Sequence, residues 1–568
     1  MQYSQFVELY EDLASTSKKL EKAEILSKFL PKLKGKEEFI YLLRGRVFPG
    51  YDEKEFGIST QLAIKAISKA TGSTKETIVE HFKKIGDLGD VAEKLIETKK
   101  ETTLVRMNLT VDKLFKNFRM LVEITGKGTV EKKVNYVVEL LTSASGKSAK
   151  YIIRTVLNDL RVGVADGILR EGIAKTYFKK EEKEGSELIE SALDKINDFA
   201  EVLKLASKGK NELKKVEIVP GRPIKVMLPV KVTNLEEAFR ICGKPLAVEH
   251  KYDGFRVLIN YNGKEISLFT RRLDNVTKQF PDVVKVVKKH VNGKSFVLDS
   301  EIVGYDPKKK KYLPFEAISQ RIRRKHEIDR LVKKLPVEIT LFDIVYHNGQ
   351  SIIDYKFKDR RKLLEKIVKS EKLKIRLSTQ FVSSDKKKIM KFYKNALKIG
   401  EEGVMFKKID APYRPGRRVG FMVKLKPVAE DLDLVIVGAE YGKGKRSGGL
   451  TSYTLACKSG KDFLEVGKVS SGLKEKEELG TSYKEMDKLL RPLIINEIGK
   501  GVKVKPKIVL SITYQNLQPS SNYNSGFALR FPKITSYRPE RGIDDIATLE
   551  EIKKEFIRMS RLRKKGLG

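Results

Sequence analysis

The stretch Val219-Pro-Gly-Arg-Pro223 divides this chain into two folding regimes. Before it, apolar residues recur every three or four positions, as in Phe6-Val-Glu-Leu-Tyr-Glu-Asp-Leu13 and Tyr151-Ile-Ile-Arg-Thr-Val-Leu-Asn-Asp-Leu160, and Leu193 to Ala206 keeps that period. This is the spacing of helices that bury one face. Gly86-Asp-Leu-Gly89 reads as a short loop ahead of another amphipathic segment. After the divide, strand signals take over. Phe255–Asn260 and Glu265–Phe269 flank Asn262-Gly263, a tight-hairpin signal, and Phe296–Val303 and Glu338–Tyr346 read as further strands. Lys308 to Lys311 reads as a solvated hairpin tip. Beyond Pro427, the short runs Leu432–Gly438, Thr451–Cys457, Phe463–Val466 and Lys507–Tyr514 are separated by Gly-rich turns and one helical insert. That pattern suits a small barrel such as an OB-fold. A chain of 568 residues can hold three or four domains, each with its own core. The expected architecture is multidomain α+β: an all-α domain over 1–216, an α+β domain over 217–427 and an OB-fold β-barrel over 428–568.

Charge narrows the partners. Lys and Arg outnumber Asp and Glu 115 to 75, a formal +40 spread along the chain, which favours a polyanion such as nucleic acid. A lysine-rich surface suited to a hot or salty habitat would also read this way. In Arg161-Val-Gly-Val-Ala-Asp-Gly-Ile-Leu-Arg170 the glycines would let backbone approach DNA closely. No run approaches a membrane span, and the N-terminus lacks a basic-then-apolar secretory pattern, so a cytoplasmic location is expected. Two cysteines, Cys242 and Cys457, exclude a four-cysteine zinc site, and five scattered histidines form no ligand spacing.

Glu249-His-Lys-Tyr-Asp-Gly-Phe-Arg256 carries the chemistry. Strand alternation puts Glu249 and Lys251 on one face, and Asp253-Gly254 ends the strand, leaving Lys251 at a cleft edge. A lysine attacks phosphorus only as the free amine, so nearby cations or desolvation must lower its pKa. Arg256 or a bound metal could supply those cations. Taken alone, Lys-Tyr-Asp-Gly also describes an ordinary surface hairpin. Gly442-Lys-Gly-Lys-Arg-Ser-Gly-Gly449 lacks both the spacing and the strand–loop–helix context of a phosphate loop, and reads as a mobile basic loop.

Downstream, in order, stand Phe269-Thr-Arg-Arg272, Asp299-Ser-Glu301, Leu341-Phe-Asp343, Glu402-Gly-Val-Met-Phe-Lys407, Met422-Val-Lys-Leu-Lys-Pro427 and Gly526-Phe-Ala-Leu-Arg-Phe-Pro-Lys533. This ordered set resembles the covalent nucleotidyltransferases. Over nearly its whole length the chain resembles ATP-dependent DNA ligases of the archaeal and eukaryotic replicative type. The three regions then become a helical DNA-binding domain, an adenylation (nucleotidyltransferase) domain and an OB-fold domain. The resemblance implies that Lys251 attacks the α-phosphate of ATP, expels pyrophosphate and becomes Lys-AMP. Glu249 would accept a hydrogen bond from the adenine amino group, and Phe342 would stack on the base. Arg256 and Arg271 would hold ribose and phosphate through their planar forks. Lys424 would contact the α-phosphate, and Arg418, beside Arg417, would add another nucleotide contact. Lys424 and Lys426 alternate onto one strand face, where phosphate would neutralise them. Glu301 and Glu402 would bind Mg²⁺ or Mn²⁺, hard ions that take oxygen ligands, with Asp299 on the face of Glu301 assisting. In the last motif Arg530 and Arg538 are retained, but Ser536 stands where an arginine is usual and Arg541 where a lysine is.

The activity so implied is three-step nick sealing by a monomer on nicked double-stranded DNA, within the nucleoid, in replication, repair or recombination. A three-domain ring around the duplex, with a barrel that swings between steps, would spread its grip over backbone phosphates. A sliding clamp is the expected partner, although no clean glutamine–aromatic clamp-binding peptide occurs in the N-terminal region. RNA ligases and capping guanylyltransferases share Lys-any-Asp-Gly but not the long helical third. An NAD-dependent DNA ligase is disfavoured by the missing zinc cysteines. A non-catalytic nucleic-acid-binding protein would not need Lys251, Glu301, Glu402 and Lys424 together. The choice among ATP, ADP, GTP and NAD is not written in these motifs.

Overall fold

The computed structural model of the chain describes residues 1–568 apart from 53, 99–108, 125, 127, 309–310, 314, 325, 417–418, 428–430, 443–447, 476–480, 499–500 and 565–568; for 311, 316, 323 and 560–564 it describes the backbone alone. Packing divides the chain into two compact units. One holds Met1–Leu228, Gly254–Leu377 and Asp410–Val419, and the other Pro229–Asp253, Ser378–Ile409 and Gly420–Gly568. The stretch 217–427 therefore contributes to both. Among the described residues no helix is long and apolar enough to cross a membrane.

The helical third belongs to the first unit and shares one core running from Tyr3 to Val216. Its helices stop where local chemistry stops them, and three stops differ from the periodic reading. The helix expected over Tyr151–Leu160 is Gly146–Val156, because Asn158 takes a left-handed conformation that ends it. The Leu193–Ala206 period is broken into Glu182–Ile196 and Phe199–Lys208. Asn197 is left-handed there, and the Asp198 carboxylate caps the next helix by accepting from the Ala200 and Glu201 amides. Gly86 closes the helix Lys75–Ile85 and Asp87 caps Leu88–Glu97, so the Gly86–Gly89 connection is two residues, with Leu88 and Gly89 already helical.

That cap joins two motifs. The Asp87 carboxylate accepts from the Asp90 amide at 3.0 Å and pairs with Arg154 at 3.1 Å and Arg161 at 2.6 Å. Gly89 lies against the helix Gly146–Val156 so closely that a Cβ would stand 2.8 Å from the Lys150 carbonyl oxygen. Arg161, read above as part of a DNA-facing segment, is thus tied to Asp87 and Asp159. Burial raises the Asp87 pKa, but the two arginines and the amide outweigh it and hold the carboxyl below its usual range. A carboxylate with a lowered folded pKa adds stability that is complete above its unfolded value and is lost as pH falls through the folded one. Asp87→Asn should therefore cost about 2–3 kcal/mol at pH 7. The gap to wild type should close below the ordinary aspartate range; thermal midpoints taken across the acid limb check this.

From residue 230 onward the strands are β1 (Val230–Val232), β2 (Leu246–Lys251), β3 (Phe255–Tyr261), β4 (Ile266–Thr270), β5 (Phe296–Asp306), β6 (Lys311–Leu313), β7 (Val337–His347), β8 (Gln350–Ser351), β9 (Ile375–Leu377), β10 (Gln380–Ser383), β11 (Gly403–Lys408) and β12 (Met422–Leu425). In the first unit β4-β3-β5-β7-β8 form a sheet, with β6 on β5 and β9 on β7. The β3–β4 hairpin turns at Asn262-Gly263 as read, the Asn262 side chain accepting from the Lys264 and Glu265 amides. Residues 309–310 of the expected hairpin tip lie outside the described residues.

In the second unit β1-β12-β11-β2-β10 form a five-stranded sheet. One face, including Leu246, Val248, Val404, Phe406, Val423 and Leu425, is core, covered by the helices Leu235–Cys242 and Lys386–Lys398. The same unit holds β13 (Leu432–Tyr441), β14 (Leu450–Ser459), β15 (Asp462–Val469), β16 (Ile494–Ile498), β17 (Gly501–Val504), β18 (Val509–Thr513), β19 (Asn516–Pro519), β20 (Phe527–Arg530) and β21 (Lys533–Tyr537). This region is antiparallel and strand-rich. β13 pairs with β14 along one edge and shares its other edge between β18 and β17. The expected helical insert is Tyr483–Leu490, opened by a capping box between Ser482 and Glu485, and a further helix, Leu549–Lys564, follows the strands. Residues 443–447 of the basic loop read above lie outside the described residues.

Candidate active site

Each unit carries its own cluster, and the strand register explains both. In the second unit Glu249 of β2 stands opposite Met405 of β11, and Met405 opposite Lys424 of β12. One row along, Lys251 stands opposite Gly403. Because side chains alternate, Glu249, Lys251, Lys407 and Lys424 share the face away from the core. Lys231 of β1 pairs with Lys424 and joins the same row. One side of this small sheet is thus hydrocarbon and the other carries lysines and glutamates.

Lys251 stands on that face at the end of β2. Its Nζ lies 2.7 Å from Glu402 Oε2, and its carbonyl accepts from the Glu402 amide at 2.9 Å. Burial pushes the Glu402 carboxyl up, but Lys251, Lys426 and Arg530 outweigh it and hold it below the usual carboxylate range. Burial lowers the Lys426 pKa, and Lys251, Lys231 and Arg530 lower it further against the pull of Glu402. Arg530 also approaches Asp253 at 4.0 Å. A face where cations crowd closely enough to lower the pKa of one lysine suits an anion of several charges. Glu249 is buried, and each of its oxygens has a donor: Lys407 Nζ at 2.8 Å and Gln380 Nε2 at 2.6 Å.

The first unit holds the other predicted residues. Arg256 of β3 stands directly opposite Glu301 of β5. Its Nε donates to Asp299 Oδ1 at 2.8 Å and its Nη1 to the Met227 carbonyl at 2.8 Å, and the guanidinium lies 5.4 Å from the Phe342 ring centre. Asp299, fully buried, also accepts from the Tyr413 hydroxyl at 2.7 Å, and that hydroxyl accepts from the Met227 amide at 2.9 Å. Burial opposes the Arg256 charge, but Asp299 prevails and raises its pKa far above the ordinary arginine value. Phe342 is the extra residue of a bulge, since Asp299 faces Asp343 while Ser300 faces Leu341. Arg271 is exposed in the turn after β4, whose ends are tied by the Thr270 amide donating to the Asp274 carbonyl. Arg418 lies outside the described residues.

Sheet register and direct contacts therefore group Glu249, Lys251, Glu402 and Lys424 in one unit, and Arg256, Glu301 and Phe342 in the other. The sequence reading missed Gln380, Lys231 and Tyr413 and left Lys407 without a role. Lys407 joins the face of Lys251 only because Met405 pairs with Glu249, which alternation within its own strand does not reveal. Gln380 gave no local signal, since only its pairing with Glu249 matters. Among the described residues no three His, Cys, Asp or Glu side chains converge as a metal cage.

Known proteins match the whole chain. The profile described as "ATP dependent DNA ligase domain" covers residues 226–426, "DNA ligase N terminus" residues 2–174 and "ATP dependent DNA ligase C terminal region" residues 446–541. A DNA ligase of Nanoarchaeum equitans is 44% identical over 98% of this chain and 98% of its own length. One of Thermococcus onnurineus is 38% identical over 97% of each. The solved chain named Pmar-Lig_PreS3 superposes over 94% of this chain and 99% of its own with a TM-score of 0.56, at 18% identity, and so shares the fold. By full-length identity and by all three domain profiles, the chain belongs to the ATP-dependent DNA ligase family.

Proposed function

We propose that the chain seals nicks in duplex DNA with ATP, using Lys251 as the nucleophile. The observation that carries this reading is the lysine-bearing sheet face with Lys251 beside Glu402, in a chain of this family. Lys251 Nζ attacks the α-phosphorus, a P–N bond forms and pyrophosphate leaves. An oxygen of the 5′-phosphate at the nick then attacks the lysyl-AMP phosphorus and frees the lysine. Finally the 3′-hydroxyl attacks the 5′-phosphorus, the phosphodiester forms and AMP leaves.

A carboxylate held below its usual range is a weak proton acceptor, so Glu402 orients Nζ more than it deprotonates it. Lys424 holds the α-phosphate, Arg418 adds another nucleotide contact, Arg256 and Arg271 hold the ribose and phosphate, Glu249 the adenine amino group, and Phe342 its ring. Glu301 and Glu402 are the carboxylates that would hold Mg²⁺ or Mn²⁺, hard ions commonly bound by one or two carboxylates with water and substrate phosphates. Bound there, the ion would supply neutralisation of phosphate charge. The chain acts as a monomer on nucleoid DNA, with a sliding clamp as expected partner. Sealing of a nicked duplex with ATP and Mg²⁺ is the test, run beside a nicked RNA duplex. DNA joining is expected, and failure with every nucleotide and metal tried would overturn the reading.

A further inference from the structure

Glu249 is held in a way that fixes what it can recognise. It is opposed by Gln380 on β10 and lies diagonal to Lys407 on β11, two positions past its direct partner Met405. The Lys407–Glu249 pair is almost out of solvent, with side chains 4% and 3% exposed. Lys407 takes one carboxylate oxygen and Gln380 the other, both as donors. Lys407 and Gln380 fix both oxygens of the Glu249 carboxylate, and its remaining lone pairs ask for N–H donors. Lys424 in the same row and Lys251 on the same strand add positive charge to the face.

From this we infer that Lys407 and Gln380 are specificity-determining positioning residues: they lock Glu249 as an acceptor, so the chain selects purine triphosphates with an amino group at position 6 and rejects 6-oxo purines. The inference rests on the proposed function, in which Glu249 faces the base. A 6-amino group donates to the carboxylate. A 6-oxo group sets oxygen against oxygen, and the buried acceptor goes unsatisfied. Without Lys407 the buried carboxylate loses the donor that fixes one of its oxygens, so its plane is no longer held toward a 6-amino group and away from a 6-oxo group.

The experiment is covalent labelling of Lys251 by ATP and by inosine triphosphate, each read as kcat/KM, in the full chain. Wild type should prefer ATP by on the order of 100-fold or more. Lys407→Met should lose most of that preference, to below about tenfold, chiefly through a raised KM for ATP. Gln380→Met, which keeps the ion pair, should lose about fivefold, and it decides the question by the same ratio if Lys407→Met does not fold. A Lys407→Met protein that labels with ATP and keeps the wild-type preference overturns the inference, because a merely structural pair would leave the ratio alone. Equal labelling of wild type by both nucleotides overturns it as well while leaving the proposed function standing. No labelling of wild type by any nucleotide overturns both.

Discussion

Lys251→Ala should carry no AMP after incubation with ATP, with labelling at least about 10³-fold below wild type. The side chain supplies the atom that bonds to phosphorus, so the loss is of the reaction itself and not of a contact. The rival nucleophile is Lys426, whose lowered pKa leaves more free amine than an ordinary lysine has. It follows β12, whereas Lys251 ends β2, with β11 between them. Two inter-strand spacings put their backbones roughly 10 Å apart. Lys251 is the one whose Nζ Glu402 holds at 2.7 Å, and a phosphate set in line with it at ~3–3.5 Å is approached by Lys426 from a different strand and so from a different direction. The variant should still seal a nick whose 5′ end is already adenylated, because that step uses the 3′-hydroxyl and not the lysine. Peptide mapping of any residual AMP adduct is the check. Label found on Lys251-free protein at wild-type rates would mean that another residue is the nucleophile.

The sequence made the active face legible because its motifs are local and strands have a period of two. Glu249 and Lys251 reach one face by alternation that needs no knowledge of partners, whereas Lys424 joins them through the pairing of β12 with β11 and β11 with β2. What it could not supply was pairing across the sheet. Gln380 matters only because β10 lies beside β2, some 130 residues away in the chain, and nothing in its own neighbourhood says so. Tyr413 is similarly invisible: an aromatic in an irregular segment whose hydroxyl finds Asp299 only in the fold. Helix ends were misread where one left-handed asparagine overrode a continuing apolar period, as at Asn158 and Asn197. Division into two packing units was also unreadable, since the chain leaves and re-enters each of them.

Gly403→Ala should cripple both the fold around Lys251 and AMP loading, without touching a charged group. Gly403 stands opposite Lys251 across β2–β11, with a φ of +144° that L side chains rarely adopt. A Cβ there would meet the Leu425 carbonyl oxygen at 2.3 Å and Lys426 Cα at 3.1 Å, both backbone atoms that no rotamer change can move away. Relief requires β12 to shift from β11, which breaks the Val404–Leu425 pairing and carries Lys424 with it. Backbone strain and overpacking together cost about 3–5 kcal/mol. A displacement of about 1 Å in a phosphate-positioning strand slows in-line transfer on the order of 100-fold. Gly460→Ala is the control: Gly460 also has a positive φ, +61°, but open space where the Cβ would go, and it sits in the β14–β15 turn. It should lose about 1 kcal/mol and load AMP normally. Thermal midpoints and single-turnover loading of the two variants separate the effects. If Gly403→Ala matched the control in both, the close approach of β11 and β12 could not be what sets the lysine face.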